Sequence, residues 1–160
     1  MEPIELANLI NRHAARLELY ARQWCDETAD VVQSAFVRLI EQDPSPQRPV
    51  AWLFRVVRNE ALMQSRSQRR RRLREGVVAE TTSPWFETSM DVGLDSMAAA
   101  EALQELPDDC REVVIAHLWG TLTFEEIGEL TETSSSTAHR RYLEGLTLLR
   151  KRLGVSCPNE

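Results

Sequence analysis

Ser135, Ser136 and Thr137 are followed in the next turn's length of chain by His139, Arg140 and Arg141. Small hydroxyl side chains let a helix end come close to base edges, and an arginine can fork onto a guanine or a phosphate. That order of residue types suits the major groove of DNA. It fits the solvated face of an ordinary helical hairpin equally well, and this stretch alone does not separate the two. A second cluster, Arg66, Arg69, Arg70, Arg71, Arg72 and Arg74, packs positive charge into one short stretch. Such a run is either a solvated helix face or a surface for a polyanion, because arginines this close repel one another without an anionic partner.

The elements that must hold these groups are helices. Thr123 stands three residues before Glu126, the spacing of a capping box, and Ile127 and Leu130 give the helix that follows an inward edge. Thr131, Glu132 and Thr133 break the pattern, and Ser134 can cap a second helix. From there Ala138, Tyr142, Leu146, Leu149 and Leu153 form one apolar stripe at three- and four-residue spacing. Ser136, Thr137, Arg140 and Glu144 fall opposite the stripe, with His139 and Arg141 on its flanks.

Upstream, Leu6, Leu9, Ile10, Leu17, Tyr20, Ala21 and Trp24 mark the buried side of a helix over 4–24. Val32, Ala35, Phe36, Leu39 and Ile40 follow the i, i+3, i+4, i+7, i+8 rule for the next helix. Pro44, Pro46 and Pro49 forbid helix through the following loop, and Pro49 can open a third helix at its first position. That helix is apolar on most of its circumference, and the arginine run either extends it or starts a fourth. Residues 75–96 are acidic and read as a linker, with Trp85 and Phe86 available for a passing contact. Helix resumes near Asp95, stops at Pro107, and restarts with Asp108 as a cap through Trp119. The expected fold is all-α, with small helical domains at 1–76 and 97–154 joined by an acidic linker at 77–96.

The chain has 160 residues, 42% hydrophobic and 28% charged, in the range of a soluble globular protein. The net charge of −6 conceals its distribution. Residues 1–74 carry +4, residues 75–110 carry −9, and residues 111–160 carry −1. Local patches, and not the total, set attraction to phosphate. No apolar run is long enough to span a bilayer, and the opening MEPIELANLI has acids where a secretory signal has bases. A cytoplasmic location is expected, with no membrane partner. Cys25, Cys110 and Cys157 are odd in number and widely spaced, as lone thiols in a reducing compartment are. His13, His117 and His139 are scattered, so no metal or other cofactor is expected. Paired acids such as Asp108 with Asp109 or Glu125 with Glu126 point to different helix faces, which argues against a metal-dependent nucleic-acid enzyme.

Taken in order, these strings resemble bacterial RNA polymerase sigma factors of the sigma-70 family, extracytoplasmic-function type. DVVQSAFVRL at Asp30–Leu39 is similar to the polymerase-docking helix of region two. PVAWLFRVVRN at Pro49–Asn59, followed by the arginines, is similar to its promoter-melting and minus-ten part. ALQELPDDCREVV and GTLTFEEIGEL resemble the opening of region four, and SSSTAHRRYLEGLTLLRKRL its minus-thirty-five recognition helix. The resemblance implies a non-enzymatic subunit that binds core RNA polymerase and promoter DNA. Asp30, Gln33, Ser34, Val37 and Arg38 would meet the clamp coiled coil of the largest subunit, and region four the flap region. Trp52, Arg55, Arg58 and Asn59 would lie along the separated strand, with Arg66, Arg69, Arg70, Arg71 and Arg72 on its backbone. Ser135, Ser136, Thr137, His139, Arg140 and Arg141 would meet the upstream element, Arg140 as the principal base reader. An anti-sigma factor is a further implied partner. A stand-alone helix-turn-helix regulator is the rival reading, but it leaves WLFRVVRN and the arginines idle. The sequence departs from the family pattern at Ala29 and Ser34, at Met63, and at Thr121 and Glu132, where glycine is frequent.

Overall fold

The computed structural model describes residues 2–76 and 94–154. Most of the expected linker, Trp85, Phe86 and Cys157 lie outside the described residues. Within them the chain is α-helical without a strand, in two compact units, one on each side of residues 77–93.

The first unit has three helices, each packed on the other two: α1 (Pro3–Ala21), α2 (Thr28–Glu41) and α3 (Pro49–Glu75). α1 starts with a reciprocal Glu2–Glu5 capping box and Pro3 in its first turn. Its last two turns bury Leu17, Tyr20 and Ala21. The Tyr20 ring meets Phe54 edge-on with centroids 4.9 Å apart, and Trp24 at 5.1 Å. The first half of α1 is less enclosed than its periodicity implies: Leu6 and Leu9 are half-buried and Ile10 is 38% exposed.

In α2 the core face is Val31, Val32, Ala35, Phe36 and Leu39, while Ile40 is 58% exposed. The expected stripe, centred near Val32, is thus displaced by about 40° toward Leu39 and Ala35 at ~100° per residue. Val31, which the sequence pattern passed over, takes the inward place expected for Ile40. α3 buries Leu53, Phe54, Val57 and Ala61, and the arginine run extends this same helix for 27 residues in all. It ends at Gly76, whose φ of 65° suits the left-handed cap. The apolar residues beyond this buried stripe face outward or sit at the margin: Trp52 and Leu62 are half-buried and Met63 is 59% exposed.

The second unit comprises α4 (Leu94–Gln104), α5 (Asp108–Leu118), α6 (Phe124–Thr131) and α7 (Ser135–Leu153). α4 takes in the last three residues of the expected linker, 94–96. Pro107, and not Asp108, occupies the N-cap of α5; Asp108 stands in the first turn and pairs with Arg111. Arg111 Nη1 also donates to the Gln104 carbonyl at 2.8 Å, fastening α5 to the end of α4. The core is Val113, Val114, Ile115 and Ala116 from α5, with Leu122, Ile127, Leu130 and Ala138 around them. α7 packs on all three other helices of the unit. It approaches α5 so closely that a Cβ on Gly145 would stand 2.7 Å from Val114 Cγ2. The apolar stripe of α7 fades toward its end, where Leu153 is 41% exposed.

Candidate functional site

The α6–α7 junction is fixed by local bonds before any partner arrives. Glu126 N–H donates to Thr123 Oγ1 at 3.2 Å, and Thr123 N–H donates to Glu126 Oε2 at 2.9 Å. Ser134 Oγ accepts from Thr137 N–H at 3.1 Å and donates to Thr137 Oγ1 at 2.9 Å. Between these caps Thr133 N–H donates to the Gly128 carbonyl at 2.8 Å. Glu132 adopts φ 57°, ψ 40°, and Thr121 also has φ 57°, the left-handed region that favours glycine. Gly128 is constrained by space instead. A Cβ there would meet Thr133 O at 2.9 Å and Ser135 N at 3.0 Å, both backbone atoms of the turn.

Two substitutions in this turn therefore have opposite signs. Gly128→Ala should destabilise the second unit by about 1–3 kcal/mol through overpacking, despite alanine's helix preference of ~1 kcal/mol. Glu132→Gly should stabilise it by about 0.5–1 kcal/mol, the ~1–2 kcal/mol of relieved strain less the chain entropy glycine adds. Urea denaturation followed by circular dichroism reads both.

The caps set out the first two turns of α7. Ser135, Ser136, His139 and Arg140 are exposed, and Thr137 is half-buried with its hydroxyl engaged by Ser134. The His139 ring lies against Phe124 with centroids 4.9 Å apart, which anchors it beside the start of α6. Arg141 is turned inward: its Nε is 3.0 Å from Asp109 Oδ2, and the side chain is 25% exposed. It holds α7 against α5, so of the two adjacent arginines Arg140 is the one displayed. His117 Nδ1–H donates to the Leu122 carbonyl at 2.8 Å and the ring stacks on Phe124 at 4.4 Å, supporting α6 from α5.

Because α3 is one continuous helix, its outer residues fall in register. At ~100° per residue, Trp52, Arg55, Asn59, Met63, Arg66, Arg70 and Leu73 share a strip about 80° wide and ~32 Å long. Arg69 borders that strip, and Met63, Arg66, Arg69, Arg70 and Leu73 line one shallow depression. All of the arginines from Arg66 to Arg72 are exposed. Arg71 lies off the strip, where its Nε meets Glu75 Oε1 at 2.8 Å, and Arg72 faces away on the far side. Trp52 is half-buried, Arg55 and Asn59 are exposed, and Arg58 is half-buried with interactions of its own. A helix side carrying an indole, amides, arginines and apolar carbons can stack unpaired bases and neutralise their phosphates.

On α2, Asp30, Gln33, Ser34, Val37, Arg38 and Glu41 line a second shallow depression. Ser34 Oγ donates to Glu60 Oε2 at 3.2 Å, and Arg38 Nη2 is 3.4 Å from the same oxygen. Glu60 was not marked by the sequence pattern. The only signal for it was an acid in the middle of an apolar and basic helix.

Burial and neighbouring carboxylates raise the pKa values of both described thiols. Cys25 is pushed to about 11 by burial, with Asp26, Glu27 and Glu60 adding to it. Cys110 is pushed to about 11 by burial and by Glu144 and Asp109. Neither is a poised nucleophile at neutral pH. Among the described residues no group of histidine, cysteine and carboxylate side chains is placed to hold a metal ion. No helix among them is long and apolar enough to cross a membrane.

Residues 9–71 match the family profile for Sigma-70 region 2, and residues 96–149 that for Sigma-70 region 4. RNA polymerase sigma factor SigV of Bacillus subtilis (strain 168) is 26% identical over 132 residues, covering 80% of this chain and 76% of that protein. The fold is shared with the sigma factor RpoE of Bartonella quintana, solved in complex with the anti-sigma factor NepR. The TM-score is 0.73 at 22% identity, over 94% of this chain and 97% of that one. With both regions matched in order on the two helical units, the chain belongs to the sigma-70 family of RNA polymerase sigma factors, extracytoplasmic-function type, which bind core polymerase and direct initiation at specific promoters.

Proposed function

We propose that the two units divide promoter recognition between them. The first docks on the clamp coiled coil of the polymerase's largest subunit through Asp30, Gln33, Ser34, Val37 and Arg38. Its α3 strip then receives the non-template strand of the minus-ten element. The second unit sits near the flap region and reads the minus-thirty-five element with the exposed first turns of α7. Ser135, Ser136 and His139 approach the groove, Arg140 reads a base, and Arg141 positions the helix.

The alignment of Trp52, Arg55, Asn59, Arg66 and Arg70 on one side of α3 carries this reading. Binding energy directed at a separated strand lowers the cost of opening the duplex, because the paired form does not expose its base faces to the indole. No nucleotide or metal is needed for that step. The rival reading, a regulator of duplex DNA acting without polymerase, gives no role to the α3 strip or to the α2 depression. The protein works in the cytoplasm, where polymerase is, and an anti-sigma factor is a suitable antagonist because both faces are open to competition.

Permanganate probing of unpaired thymines on a promoter bound by the holoenzyme tests the assignment. Trp52→Ala should reduce opening about five- to a hundredfold, the range equivalent to the ~1–3 kcal/mol of one stacked base. Unchanged reactivity would remove Trp52 from the opened strand.

A further inference from the structure

The α2 depression is held by a residue that does not belong to α2. Glu60 lies on α3 with its side chain 13% exposed, and its Oε2 takes both the Ser34 hydroxyl and the Arg38 guanidinium. Arg38 itself is 53% exposed, so its guanidinium is held at Nη2 while much of the side chain stays open to a partner. Ser34 stands one turn before Arg38 on the same face of α2, and a single carboxylate oxygen therefore pins two successive turns. Glu60 directly follows Asn59, which lies on the α3 strip.

We propose that Glu60 is a positioning residue for polymerase docking: it holds Arg38 and Ser34 in the conformation that the polymerase receives, and ties that face to the DNA-facing helix. The inference rests on the assignment of the α2 face to polymerase made above. A half-exposed ion pair at 3.4 Å adds little to folding stability. Its larger effect is on recognition. An arginine side chain has many rotamers, and binding through it is weaker when those rotamers must be frozen at the moment of contact. With Glu60 in place, much of that ordering precedes the encounter. Two further consequences follow. The charge of Glu60 matters more than its bulk, and its effect must pass through Arg38.

The test is a set of full-length variants titrated against purified core polymerase, with thermal unfolding recorded in parallel. Glu60→Gln keeps the size and the acceptor for Ser34 but removes the charge. It should weaken polymerase binding roughly three- to tenfold, with the unfolding temperature essentially unchanged. In an Arg38→Met background the same change should have no further effect, since the group being positioned is gone. Unchanged affinity for Glu60→Gln, or multiplicative losses in the double variant, would overturn the proposal. Val37→Asp separates this from the broader reading. If Val37→Asp abolishes docking while Glu60→Gln is silent, only the role of Glu60 falls. If Val37→Asp also leaves affinity intact, α2 is not the docking face, and both fall.

Discussion

Arg140→Ala should lower transcription from a promoter that depends on its upstream element by about five- to a hundredfold, equivalent to the ~1–3 kcal/mol of a bidentate arginine–guanine contact. The two neighbouring arginines make the expectation sharp. Arg140 is exposed in the second turn of α7, whereas Arg141 is held by Asp109 at 3.0 Å. Loss of Arg140 should relax the preference at one base pair and leave the stability of the second unit unchanged. Loss of Arg141 should weaken binding without changing which bases are preferred, because it loosens one tie between α7 and α5 and leaves Asp109 without that ion pair. Transcription from a panel of single-base variants of the upstream element reads both patterns. An Arg140→Ala variant that lost activity equally on every sequence would make this arginine a phosphate contact.

The second large effect lies on α3. Replacing Arg66, Arg69 and Arg70 together by alanine should remove about three backbone contacts to the opened strand. For single strands the logarithmic salt slope changes by ~0.7 per phosphate, so it should become shallower by about two. Between ~1 M and ~0.15 M salt this corresponds to a loss of about one and a half orders of magnitude in affinity for a promoter fragment opened over its minus-ten element. Arg72→Ala is the internal comparison. It removes one charge from the same cluster but lies about 160° from Trp52 around the helix, at ~100° per residue. Its slope should remain near that of the unchanged chain. Arg71→Ala should also have a small effect, because that guanidinium is shared with Glu75. Holoenzyme binding to forked promoter DNA at graded salt distinguishes strip from bulk charge. Equal slopes for the triple and the Arg72 variants, after scaling for the number of charges removed, would mean that the cluster acts only as a diffuse field.

The parts of this arrangement that were legible in the sequence are those governed by neighbours in the chain. The Thr123–Glu126 box, the Ser134 cap, the break at Glu132 and the Pro49 start each depend on residues three or four apart, and each forms as the spacing implies. Burial was less legible because it is set by partner helices. Val31 and Ile40 exchange places through a modest turn of α2 about its axis, and both sides of that choice are apolar in the sequence. Long-range bonds gave no periodic signal at all. Arg141 and Asp109 look alike, as solvated charges, until α5 and α7 are seen to pack. The same holds for Glu60 with Ser34 and Arg38. The need for glycine at 128 and 145 arises from atoms of other segments, the turn backbone in one case and Val114 in the other. The arginine run was read in the sequence as charge, but its division into a strip, a flank and a far side needed α3 to continue unbroken to Glu75.

The departures from the family pattern also resolve into physical statements. Glu132 and Thr121 have positive φ, and at Glu132 the cost is strain that Glu132→Gly should recover. Met63 places an exposed thioether on the α3 strip among arginines. Ser34 joins Glu60, so a carboxylate of the neighbouring helix stands beside it.

Run-off transcription with purified core polymerase on fragmented genomic DNA tests the central claim most directly. With this chain added, discrete transcripts should appear whose start sites share two upstream sequence elements at a fixed separation, and core enzyme alone should give none of them. Absence of any such transcript, from a chain that nevertheless binds duplex DNA specifically on its own, would contradict the account.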